Sequence, residues 1–99
     1  MTDVKKKPNG RYYQTLPIEG KKTVDNFANY IDLYFKDQKA AGDALLVKQS
    51  TISRYMSGQS PIPQEVASRL VEHLGSKIEL HEIHFDYKKY LASLVKKTA

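Results

Sequence analysis

Two short helical repeats with almost no chain between them occupy residues 38–57, and a glycine, Gly58, closes the second. In the first, from Gln38 to Leu46, Ala41, Ala44 and Leu45 fall on one side. In the second, from Gln49 to Ser57, Ile52, Tyr55 and Met56 stand at i, i+3 and i+4. Two helices joined this tightly must cross at a steep angle, so other helices have to cover their apolar sides. The flanking sequence supplies them. Val24, Phe27, Ala28, Ile31, Tyr34 and Phe35 predict a helix over about 24–36, with Thr23 as its N-cap. Ser60-Pro61-Ile62-Pro63 is a rigid entry to a helix over about 64–74 that buries Val66, Leu70, Val71 and Leu74 and stops at Gly75. A short irregular or single-turn piece carries Ile78, Leu80, Ile83 and Phe85, and a last helix begins near Tyr87. Five helices with no strand alternation predict an all-α domain.

Residues 1–22 read differently. Pro8, Asn9, Gly10, Pro17 and Gly20 interrupt too often for a helix, which predicts a flexible basic N-terminal arm, with at most a short extended piece from Arg11 to Leu16. The predicted organisation is an arm over 1–22, a core domain over 23–86 and a C-terminal helix over 87–99 as a dimerisation element. The arm holds Lys5, Lys6, Lys7, Arg11, Lys21 and Lys22 against Asp3 and Glu19, most of a net charge of +5. Such a balance is the sign expected of a nucleic-acid binder. A chain of 99 residues makes one domain, too small for a large enzyme with a deep catalytic cavity. Without cysteine, thiolate metal sites and thiol nucleophiles are excluded, and no apolar run approaches the length of a bilayer span.

The outward face of the second short helix is the informative one. Gln49, Ser50, Ser53, Arg54 and Ser57 form one stripe away from Ile52, Tyr55 and Met56, and no acid occurs between Asp43 and Glu65. An ordinary solvated stripe carries Glu and Lys. Here short serines would let a helix sink into a major groove, while Gln and Arg have the two-pronged geometry that matches adenine and guanine edges. The pair of helices is therefore a helix-turn-helix candidate, with a polar face of some other small bundle as the plainer alternative.

At Gln38, Ala41, Leu45, Val47, Gln49 to Arg54, Gly58 and the Ile62-Pro63 entry, the sequence resembles the phage Cro and repressor-type helix-turn-helix proteins. Gly75 to Ile78, His81-Glu82-Ile83 and Asp86-Tyr87 resemble the end of the domain in YdaS-like, Cro-type prophage regulators. The resemblance implies a repressor-like fold in which Gln49, Ser50, Ser53 and Arg54 contact base edges and Gln38 touches a phosphate. Lys39, Lys48, Thr51, Tyr55, Ser57 and Gln59 are the further phosphate contacts expected around them, with Lys5, Lys6, Lys7 and Arg11 of the arm. Two positions depart from the family pattern. Gly42 stands where a small alanine is usual, and Leu46 stands where the turn usually has glycine, so a left-handed backbone there would be strained.

Other signals carry less. His81 and His84 near Glu79, Glu82 and Asp86 lack the spacing of a metal site, and no serine sits in a nucleophile motif. Tyr12 and Tyr13 could stack on bases or pack on the domain. The stripe Tyr87, Tyr90, Leu91, Leu94, Val95 is either core or an interface between copies. The expectation is a DNA-binding repressor without cofactor or catalytic activity, in the cytoplasm of a bacterial host cell. It would bind a double-stranded pseudo-palindromic operator as a homodimer. The alternatives are an antitoxin that represses its own promoter and holds a partner protein, and a helix-turn-helix interaction module.

Overall fold

The computed structural model describes residues 8–98, and within them there are seven helices and no strand. These are α1 (Arg11–Gln14), α2 (Ile18–Tyr34), α3 (Gln38–Leu45), α4 (Gln49–Ser57), α5 (Gln64–His73), α6 (Leu80–Ile83) and α7 (Tyr87–Thr98). The all-α class holds, and the helices over 38–45, 49–57, 64–73 and from Tyr87 fall where the apolar periodicity places them. No helix among the described residues is long and apolar enough to cross a membrane.

One core joins the middle elements. Phe27 and Ile31 of α2 meet Leu45 of α3, Ile52 and Tyr55 of α4 and Leu70 of α5, with Ile62, Ile78 and Ile83 filling the edges. Each such side chain taken fully from water stabilises the fold by about 1.5–3 kcal/mol. Polar ties lock the elements at their ends. The Arg69 guanidinium of α5 donates to the Leu45 carbonyl at 3.2 Å, satisfying an orphan acceptor at the end of α3. Asn26 donates to the Glu82 carbonyl at 2.9 Å, and the Tyr30 hydroxyl donates to the Glu82 carboxylate at 2.8 Å, fastening α6 to α2. Glu82 also accepts the Glu79 N–H, closing a capping box. That backbone donor, and then the Tyr30 hydroxyl, hold its pKa below the usual carboxylate value.

The N-terminal region corrects the sequence reading. From residue 8 onward the expected flexible arm is folded: Arg11–Gln14 forms a helical turn, Leu16 is buried, and α2 starts at Ile18, not near Val24. Pro17 does not break a helix but precedes one, where its fixed φ suits the entry and its missing N–H needs no partner. Thr23 is no cap. It is buried within α2, and its hydroxyl donates to the Gly20 carbonyl at 2.7 Å. The two extra turns, α1 and α6, make seven helices of the expected five.

Candidate nucleic-acid interface

The geometry of the α3–α4 pair rests on two residues whose usual places are exchanged. Leu46 ends α3 in the left-handed region, φ 64° and ψ 39°, and the N–H groups of Leu46 and Val47 both turn back to the Gly42 carbonyl. The expected strain at Leu46 is therefore present. Gly42 is buried where the turn crosses α3. A Cβ there would lie 2.7 Å from the Val47 carbonyl oxygen, and the Gln49 amide nitrogen is the next atom, at 3.3 Å. Alanine would not fit without moving backbone, so the glycine that looks like a weak helix former is what lets α4 approach.

α4 then presents what the sequence pattern implied. Ile52 and Tyr55 are buried, whereas Gln49, Ser50, Ser53 and Arg54 are all exposed. The Arg54 Nε donates to the Ser60 hydroxyl at 3.3 Å, a bond in which the two terminal guanidinium nitrogens take no part. Lys48 occupies the N-cap of α4 and offers no side-chain oxygen to the first amides. A cation at the positive end of a helix is locally unfavourable, by about 0.3–1 kcal/mol, but it suits an approaching phosphate.

The expected phosphate contacts divide. Lys48 and Gln59 are exposed, and Thr51 and Ser57 are half-buried. Gln38, capped with its helix by the Asp37 carboxylate, opens onto the same cleft as Ser53 and Ser57. Lys39 is exposed and pairs with Asp43 at 3.2 Å, a surface pair worth about 0–1 kcal/mol and easily exchanged. Tyr55 is a correction: at 7% exposure its ring lies edge-on to Phe27, and burial raises its hydroxyl pKa, so it packs the core instead of facing a backbone. Arg11 is exposed on α1, while Lys5, Lys6 and Lys7 lie outside the described residues.

Two features escaped the sequence reading. Asp25 and Asp32 of α2 line the cleft beside Ser53, so the acid-free stretch along the chain is not acid-free in space. Their spacing with Asn29 marks a polar stripe on α2, but which element that stripe faces is decided by packing. The second is a strap. The Asn9 and Gly10 amides donate to the Ser57 carbonyl at 3.2 and 2.8 Å, and the Tyr13 amide to the Gly58 carbonyl at 2.8 Å. Gly10 lies flat on the Gly58 backbone, where any Cβ would collide with it. Tyr13 packs on the domain, its hydroxyl donating to Asp25 at 3.3 Å and the Lys21 ammonium 5.7 Å from its ring centre. The strap thus fixes the last turn of the exposed helix.

A tight, buried helix crossing that exposes an amide, serines and one arginine defines a helix-turn-helix unit. Residues 36–80, somewhat under half of the chain, match the helix-turn-helix family model, the Cro/C1 type found in DNA-binding transcription regulators and not an enzyme family. No curated protein and no solved structure matches the chain. Among the described residues, no group of three or more His, Asp and Glu could hold a metal ion.

Proposed function

We propose that this DNA-binding helix-turn-helix regulator is a sequence-specific repressor of the phage or prophage Cro type, bound as a homodimer to a pseudo-palindromic operator. The observation that carries the reading is the exposed stripe Gln49, Ser50, Ser53 and Arg54 on a helix whose other face is core. Serines permit close entry to the major groove, Gln49 suits an adenine edge, and the free prongs of Arg54 suit guanine O6 and N7. Lys48, Gln38, Thr51, Ser57, Gln59 and Lys39 ring the stripe and serve as phosphate contacts that fix register without reading sequence. One unit covers one half-site, so two copies about one helical turn apart supply the affinity.

The test is to select the preferred site from random duplexes and measure Arg54→Ala and Lys48→Ala on that site and on a scrambled one, at one salt concentration. Arg54→Ala is expected to cost about 1–3 kcal/mol on the selected site and to relax preference at one base pair per half-site. Lys48→Ala is expected to weaken both DNAs equally. Equal losses on both DNAs for Arg54→Ala would remove α4 as the reader, and no effect from either variant would favour a protein-interaction module.

A further inference from the structure

The outward arginine of α4 is held by a residue that lies outside the helix. α4 closes on Gly58, whose left-handed backbone, φ 78°, returns the Gly58 N–H to the Tyr55 carbonyl at 3.2 Å and the Gln59 N–H to the Arg54 carbonyl at 2.9 Å. That reversal carries Ser60 alongside the last turn, where its hydroxyl accepts from the Arg54 Nε at 3.3 Å. The segment is fixed from three sides. Pro61 follows Ser60 and confines its backbone to the extended region. The Gly10 and Tyr13 amides grip the Ser57 and Gly58 carbonyls at 2.8 Å each. Ile62 is buried in the core, and its carbonyl bonds the His84 Nδ1 at 3.0 Å. Ser60 itself is half-buried, whereas the arginine it holds is exposed.

We infer that Ser60 is a positioning residue for base reading: it fixes the plane of the Arg54 guanidinium so that the two terminal nitrogens, and not the Nε edge, meet the DNA. This rests on the reading of Arg54 as a guanine contact given above and adds to it what aims the side chain. A guanidinium has two kinds of edge that match guanine O6 and N7, one made by both terminal nitrogens and one by Nε with a terminal nitrogen. With the Nε–H engaged by Ser60, the first kind is the one presented. Arginine carries large rotamer freedom, and a bond made before DNA arrives lessens what must be given up on binding. A hydroxyl does this without neutralising the cation, as a carboxylate at the same position would.

Two measurements on the full chain test this, with circular dichroism and urea midpoints to verify that each variant folds as the parent does. The first needs no DNA. Arg54 is one of three arginines, and its Nε–H nuclear magnetic resonance signal is identified by its loss in Arg54→Ala. That proton should exchange with water several-fold faster in Ser60→Ala than in the parent, and at the parent's rate in Ser60→Thr, which keeps the hydroxyl. The second measures affinity. Ser60→Ala should weaken the selected site about three- to tenfold, the range of one neutral hydrogen bond, and leave scrambled DNA unchanged. It should relax preference at the same base pair as Arg54→Ala and add nothing in the Arg54→Ala background, while Ser60→Thr binds like the parent. An equal loss on both DNAs, or a loss that persists without Arg54, would make Ser60 a phosphate contact in its own right and overturn the inference. An Nε–H that exchanges at the parent's rate in Ser60→Ala overturns it too. A base preference lost in Arg54→Ala but kept in Ser60→Ala overturns the inference alone, whereas an Arg54→Ala without effect on the selected site removes the base-reading role and the inference with it.

Discussion

Leu46 holds a backbone conformation that costs an L-residue roughly 1–2 kcal/mol, and its side chain, 73% exposed, recovers little by burial. Leu46→Gly is therefore expected to raise stability by about 1 kcal/mol or less, since glycine's extra freedom in the unfolded chain offsets part of the relief. Gly42→Ala should do the opposite. Helix propensity favours alanine by about 1 kcal/mol, but the turn backbone sits where the methyl would go, so a net loss of about 1–3 kcal/mol is expected. Urea midpoints of the two variants, read at constant slope, check both signs. Both positions stood out in the sequence as departures from a pattern. What the sequence did not show was that the Gly42 departure is a steric requirement, because the atoms a methyl would strike belong to a turn whose path is set by tertiary packing. Glu82 gives a pH test at the same scale. Its folded pKa is lowered, so the stability it adds is present above its ordinary value of about 4.3 and is lost as the pH falls through the lower folded value. Glu82→Gln should flatten the fall in urea midpoint over that acid window, and a fall as steep as in the parent would show that the α2–α6 tie is not what titrates.

At the scale of elements, legibility followed periodicity. α3, α4, α5 and α7 carry apolar residues at helical spacing over at least two turns, and the sequence placed them to within a residue or two. α1 has only four residues, too few to show a period, and its stability comes from amide bonds to Ser57 and Gly58 far along the chain. The start of α2 was hidden by Pro17 and Gly20, which punctuate loops more often than they begin helices. The exposed stripe proposed to read bases was legible because it lies on one element, whereas Asp25, Asp32 and the strap were not, since other elements bring them to the site. α7 joins the domain through the Phe85, Tyr87 and Tyr90 rings, with Phe85 and Tyr90 centred 5.5 Å apart, and not through the main core. Removal of residues 87–99 should accordingly leave a folded, helical domain while abolishing self-association. Loss of the cooperative thermal transition in that truncation would place the helix in the core instead.

Over the whole molecule, the folded strap changes what the basic N-terminus is able to do. Deleting residues 1–22 would remove part of α2 and the strap with it, so the informative deletion is residues 1–7, which carries Lys5, Lys6 and Lys7. Pro8 lines the cleft that holds Ser53 and Gln38, on the proposed DNA face. The truncated protein is expected to bind selected and random DNA more weakly by a similar factor, and each lost phosphate contact should flatten the slope of log K against log salt by roughly 0.9. An unchanged slope would show that these lysines do not reach the backbone.

The strap also decides how the end of α4 is sealed. The carbonyls of Ser57 and Gly58 belong to the end of α4, which has no further turn of helix to satisfy them, and their partners sit nearly half the chain earlier. Closing a loop of that size costs about 3 kcal/mol of chain entropy, so the bonds form only once the helices between have condensed. During synthesis the donor side, Asn9 to Tyr13, is made first and waits for its acceptors. The last turn of α4 closes locally on the Arg54 and Tyr55 carbonyls, whereas the seal on its Ser57 and Gly58 carbonyls depends on the integrity of the whole domain.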